Sequence, residues 1–193
     1  MAAARLMAAV AAVALAPASQ TQAASPPIAK ATAPVAAEYA RFADEEARFT
    51  AHPGPIYRGP KAPLHFTGPN RPFATFRSRI RQGAQEGVNF AGDSNIVRFG
   101  CGAGCIDALV IDLPTGRVRD LGISGEDYMM LRFRFRSGSR YLKAFWVEPA
   151  QDGSDHAFCV AQGFVWNGQK LAQPSRRFRY SVPTEGDCPD FDL

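Results

Sequence analysis

The chain has 193 residues and a formal charge of +4, with 46% hydrophobic and 21% charged residues. This is the composition of an ordinary globular protein, and it excludes collagen-like, coiled-coil and wholly disordered chains. The basicity is too mild for a dedicated nucleic-acid binder, so no nucleic-acid partner is expected. No apolar run reaches the roughly 18 uninterrupted residues of a spanning helix.

Residues 1–23 read as a signal peptide. Arg5 is their single charge, and an Ala/Val/Leu/Met run occupies residues 6–16. Ala16-Pro17-Ala18 and Thr21-Gln22-Ala23 then offer small residues to a signal peptidase. The mature chain therefore carries 4 − 1 = +3, and a periplasmic or secreted location is expected, with no transmembrane segment after signal removal. Residues 24–35, with Pro26, Pro27 and Pro34, read as an Ala/Pro-rich linker. Residues 36–193 are expected to form one domain.

Within that domain, residues 36–50 predict a helix. Tyr39, Phe42, Ala43, Glu46 and Phe49 share its face, with Glu46 the polar misfit. His52-Pro53-Gly54-Pro55 ends it, and Pro60, Pro63 and Pro69 impose an extended connection. Pro72 opens a second helix that gathers Phe73, Phe76, Ile80 and Ala84 on one side and stops at Gly87. Strands and turns follow. Residues 95–99 form a short strand, and residues 108–113 and 117–121 flank a Pro114-Thr115-Gly116 turn. Leu131, Phe133 and Phe135 alternate with Arg132, Arg134 and Arg136, the period of a half-buried strand. Ser137-Gly138-Ser139 turns it into residues 141–147. Residues 158–166 make another strand that runs into Asn167-Gly168, the clearest hairpin turn of the chain. Residues 177–182 make the last strand. The fold class is α+β: mainly antiparallel β-sheet built of hairpins, as a single sheet or a small sandwich, with one or two N-terminal helices packed on it.

Four cysteines, Cys101, Cys105, Cys159 and Cys188, suggest two disulfides in an exported chain. Of three pairings, Cys101–Cys105 with Cys159–Cys188 is favoured. Gly102 and Gly104 let the short loop close, and the second bond would pin the C-terminal tail to a strand. A redox pair normally spaces its cysteines by two residues rather than three. A zinc site would need two further ligands, for which His156 and Cys159 are the nearest candidates.

Three strings carry a family resemblance: Gly87-Val88-Asn89-Phe90-Ala91-Gly92, Phe99-Gly100-Cys101-Gly102-Ala103-Gly104-Cys105, and Val110-Ile111-Asp112-Leu113-Pro114-Thr115-Gly116-Arg117-Val118. Across about residues 72–121 the chain resembles a family of small exported bacterial proteins that read N-F-A-G, W-G-C-G-x-x-C and I-V-D-x-x-T-G-x-V. The resemblance implies an envelope or secreted location and no particular activity. Phe99 stands where that family often has Trp, and Asp93-Ser94 where it often has a His-aromatic pair.

The candidate binding groups are cationic or backbone in nature. Gly102 and Gly104 could turn backbone N–H groups toward an anion. Arg132, Arg134, Arg136 and, across the turn, Arg140 are expected to share one face and to suit a polyanion such as an envelope glycan. His52, His65 and His156 show no catalytic or metal-binding spacing, and the acidic tail with Glu185, Asp187, Asp190 and Asp192 reads as a solvated end. No catalytic residue, metal or cofactor is assigned. The expected role is a non-enzymatic envelope protein that binds a ligand or an envelope partner. The alternatives are a secreted hydrolase with a Cys159–His156 nucleophile pair or a thiol oxidoreductase using Cys101 and Cys105, and an inhibitor that inserts the Cys101–Cys105 loop into another enzyme's cleft.

Overall fold

The computed structural model describes residues 45–172, 175, 177–183 and 188. The expected signal peptide and linker, residues 36–44 of the expected first helix and the four tail carboxylates lie outside the described residues.

The polypeptide builds a layered α+β sandwich. Helix α1 (Glu45–Ala51) leads into the proline-rich connection, a 3₁₀ helix (Gly68–Phe76) and helix α2 (Arg77–Glu86). Strands β1 (Ser94–Gly102), β2 (Cys105–Asp112) and β3 (Arg117–Asp120) form a three-stranded antiparallel sheet in that order. A second antiparallel sheet contains β4 (Met129–Phe135), β5 (Tyr141–Pro149), β6 (His156–Trp166), the two-residue β7 (Leu171–Ala172) and β8 (Phe178–Pro183). Both β7 and β8 pair with β6.

The hydrophobic pattern explains the layering. One face of the first sheet supplies Val97, Leu109, Ile111 and Val118, which bury Ile80 of α2 and pack against Phe73 and Phe76. Its other face supplies Ile96, Ala108 and Val110. These meet Leu131, Phe133, Leu142, Ala144, Trp146, Val160, Phe164 and Trp166 of the second sheet, with Phe90 among them. The far face of the second sheet carries Phe145, Cys159, Ala161, Phe178 and Val182. Lys143 is buried on that face, its ammonium 5.0 Å from the centre of the Phe145 ring. Both sheets thus bury apolar residues on two sides, so strict alternation fails along β2 and β6.

The architecture is a two-sheet sandwich rather than one sheet. The second helical segment also begins earlier than Pro72, as a 3₁₀ turn from Gly68, and becomes α-helical only at Arg77. Pro69 and Pro72 lack N–H donors, which favours short 3₁₀ turns over an α-helical start here. β7 is too short for periodicity to reveal.

The family-like strings do structural work. Asn89 accepts the Ile96 N–H at 2.7 Å and donates to the Ile96 carbonyl at 3.1 Å, so its amide acts as a one-residue strand on the open edge of β1. Phe90 is fully buried. Gly92 has φ +89°, and a β-carbon there would lie 2.5 Å from backbone atoms of Gly54 and Pro55. In the third string, Asp112 Oδ1 accepts the Thr115 N–H. Asn70 then grips the turn, donating to the Gly116 carbonyl and accepting the Val118 N–H, both at 2.9 Å.

Candidate functional site

Cys101 is bonded to Cys105 and Cys159 to Cys188, with Cα separations of 5.2 and 5.5 Å. The first bond closes the β1–β2 hairpin at an irregularity between Gly100 and Gly102. Gly102 and Gly104 adopt φ +152° and +71°, conformations that glycine reaches without a β-carbon clash. The Gly104 carbonyl accepts the Met130 N–H at 2.8 Å, tying the hairpin tip to the start of β4. Met129 and Met130 are 43% and 53% exposed, so an apolar pair flanks the disulfide.

Register gives Arg132, Arg134 and Arg136 one parity in the second sheet and Arg140 the other. Arg132 and Arg134 pair across the sheet with Phe145 and Lys143, which places them on the face away from the first sheet. Arg136 turns back to α1, where its guanidinium makes a bidentate pair with Glu46 at 2.7 and 2.6 Å and lies 4.5 Å from the Phe49 ring centre. The polar misfit of the helix face is thus the partner of an arginine. Arg136, through its hydrogen bonds and then its charge, holds the Glu46 carboxyl below the usual glutamate value. Arg140 departs from the expected grouping. It precedes β5 and has the parity of Leu142 and Ala144, because the loop after Phe135 shifts the alternation by one residue.

Cys159 is fully buried and disulfide-bonded, so it presents no thiol to His156 at the exposed start of β6. The nearby Asp152 carboxyl is held below its ordinary value, first by the Ser154 hydroxyl and then by the Ser154 N–H. Among the described residues no group of three or more His, Cys, Asp or Glu could hold a metal ion, and no helix is long and apolar enough to cross a membrane.

A concavity of different make-up lies along the β3–β4 connection. The first sheet has three strands and the second five, so the margin of the second sheet beyond β3 is left partly uncovered. A cleft of about 520 Å³ opens there. Leu121, Ile123 and Phe164 give it an apolar floor, into which Gln162 projects at 7% exposure. The Gln162 side chain makes no hydrogen bond to another described residue.

Backbone hydrogen bonds fix the walls. The end of β3 and its connection to β4 carry Asp120, Asp127 and Tyr128. The connection is held by Leu121 N–H to the Ala108 carbonyl at 3.0 Å, Gly125 N–H to the Ile106 carbonyl at 2.9 Å, and Gly122 N–H to Asp120 Oδ1 at 2.6 Å. Tyr128 meets Trp146 edge to face at 5.3 Å. On the other side, the Asn167 side chain accepts the N–H groups of Gln169 and Lys170, both at 2.9 Å, which shapes the turn that presents Lys170. Arg177 lies 5.2 Å from the Trp146 ring centre and is ion-paired with Glu148. Glu148 also accepts the Trp146 indole N–H at 2.9 Å and lies 3.4 Å from Arg179. Three carboxylates and two cations therefore line the cleft.

Sequence reading missed this site, although it left one signal. Phe158, Val160, Gln162, Phe164 and Trp166 share a parity on β6, and Gln162 is the polar residue among them. The cysteine loop and the arginines contribute nothing to the cleft lining. Comparison of the chain with protein-family models, curated proteins and solved structures finds no match.

Proposed function

We propose that this is an exported, non-enzymatic binding protein that holds a small polar ligand in the cleft between the β3–β4 connection and the β5–β6–β7 margin. The observation that carries the reading is Gln162, a side-chain amide sunk in an apolar floor with no partner among the described residues. Its amide reaches solvent through the cleft, so a hydrogen-bonding guest can take the place of water there. The cleft volume lies in the range of small-molecule sites, and its accessible lining is mainly polar, which suits a polar guest. Export is supported by the apolar segment 6–16 with its small-residue exit and by two disulfides, which persist in oxidising compartments. Membership among the small exported bacterial proteins that residues 87–118 resemble belongs to the same proposal.

The test is thermal unfolding of the wild-type protein and of Gln162→Leu in the presence of a polar small-molecule extract of cells. Stabilisation of the wild type that Gln162→Leu abolishes supports the reading. An unchanged midpoint in both proteins, or equal stabilisation of both, contradicts it.

A second reading is carried by Met129 and Met130 beside the disulfide-closed tip. It takes the tip as a rigid apolar wedge inserted into the cleft of a target enzyme, as an inhibitor would do. Loss of inhibition in Met130→Asp would separate it from the cleft reading.

A further inference from the structure

The charges of the cleft are segregated by wall. Asp120 ends β3 and Asp127 follows in the β3–β4 connection, whereas Lys170 and Arg177 both come from the margin of the second sheet. Glu148, the third carboxylate, is already matched by Arg177 and Arg179. The side chains of Asp127 and Lys170 have no ion-pair or hydrogen-bond partner among the described residues. One wall therefore carries two carboxylates and the other margin Lys170, with Arg177 and Glu148 paired beside it and an amide without a described partner between the walls.

We infer that the ligand is zwitterionic, a free amino acid or short peptide carrying one ammonium and one carboxylate group. This inference rests on the reading of the cleft as a binding site. A monoanion would gain from Lys170 but face Asp120 and Asp127 uncompensated, and a monocation would meet the converse. A neutral polyol would draw nothing from the segregation. A zwitterion laid across the cleft places its ammonium at Asp127 and Asp120 and its carboxylate at Lys170, with the fixed guanidinium of Arg177 alongside. Gln162 offers one donor group and one acceptor at the floor, the complement of a peptide amide. The low-dielectric setting of Leu121, Ile123 and Phe164 strengthens that pairing.

The test is calorimetric titration of the mature chain with the free L-amino acids and with a panel of dipeptides, which separates the two sources. The best binder is then repeated as its N-acetyl and its C-amide forms, with maltose as a neutral control. Each blocked form should bind at least about tenfold more weakly, the usual scale for losing a charged hydrogen bond. Asp127→Asn should weaken the parent compound but not weaken the N-acetyl form further. Lys170→Gln should do the same for the parent and the C-amide form. A merely structural effect of either substitution would weaken all forms alike. Equal affinity for blocked and unblocked forms, or binding of maltose or of singly charged compounds alone, overturns the zwitterion and leaves the cleft reading standing. If no zwitterion binds while the cell extract still stabilises the wild type through Gln162, this inference alone fails. If neither occurs, both fail.

Discussion

Asn89 and Gln162 are two side-chain amides in opposite circumstances. The first has donor and acceptor matched to the Ile96 backbone, and the second has no match among the described residues. Asn89→Ala should cost about 1–3 kcal/mol in urea denaturation, because two backbone groups lose their partner at once. A loss within experimental error would show that solvent caps the edge equally well. Gly92→Ala should be worse tolerated, since the new β-carbon meets the Gly54–Pro55 backbone at 2.5 Å and φ is +89°. Glu46 adds a pH dependence with a definite sign. Its folded-state pKa is lowered from 4.5 by Arg136. Its contribution is therefore present above pH 4.5 and fades as pH falls through the lowered value. Hydrogen exchange in α1 should accelerate over that acidic window, and Glu46→Gln should remove the dependence. An unchanged profile in the variant would assign the effect to other groups. Both partners are largely exposed, so the energetic effect is small and sensitive to salt.

At the scale of elements, the two disulfides close loops of very different length. The hairpin bond spans a sequence separation of 4 and the β6–tail bond one of 29. The chain-entropy estimate is about 2 kcal/mol for the first and about 3.5 kcal/mol for the second. Exposure differs as well, because Cys101 is open to solvent and Cys159 is fully buried. Graded reduction followed by alkylation should label Cys101 and Cys105 first. Simultaneous labelling of all four would contradict the burial argument. These pairings were legible in the sequence because glycines flank the short loop. Most strands were legible too, since Pro114-Thr115-Gly116, Ser137-Gly138-Ser139 and Asn167-Gly168 each mark a turn by local chemistry. Strand ends were not. β1, β2 and β6 each run further than their apolar runs suggest, because hydrogen bonding to a neighbour extends a strand past its hydrophobic segment. The place of Arg140 depended on loop length, which side-chain types do not report.

At the scale of the whole molecule, the cleft lies at a mismatch between two sheets. Nothing local in residues 117–128 or 162–177 announces a cleft, because it exists only where a three-stranded sheet lies over a five-stranded one. Sequence reading therefore favoured features that are compact along the chain, the cysteine loop and the arginine run. Tertiary structure gives them other neighbours: the loop joins the start of β4, Arg136 joins α1, and Arg132 and Arg134 face away from the first sheet. The cleft instead gathers Asp127, Gln162 and Lys170 from three separate segments. The most direct test of the account is an amide and side-chain chemical-shift map of the isotopically labelled protein titrated with the polar cell extract. The account predicts perturbations confined to residues 120–128, Trp146, Glu148, the Gln162 side-chain amide, Lys170 and Arg177. Perturbations centred on Cys101, Gly104, Met129 and Met130, with the Gln162 amide unmoved, would contradict it.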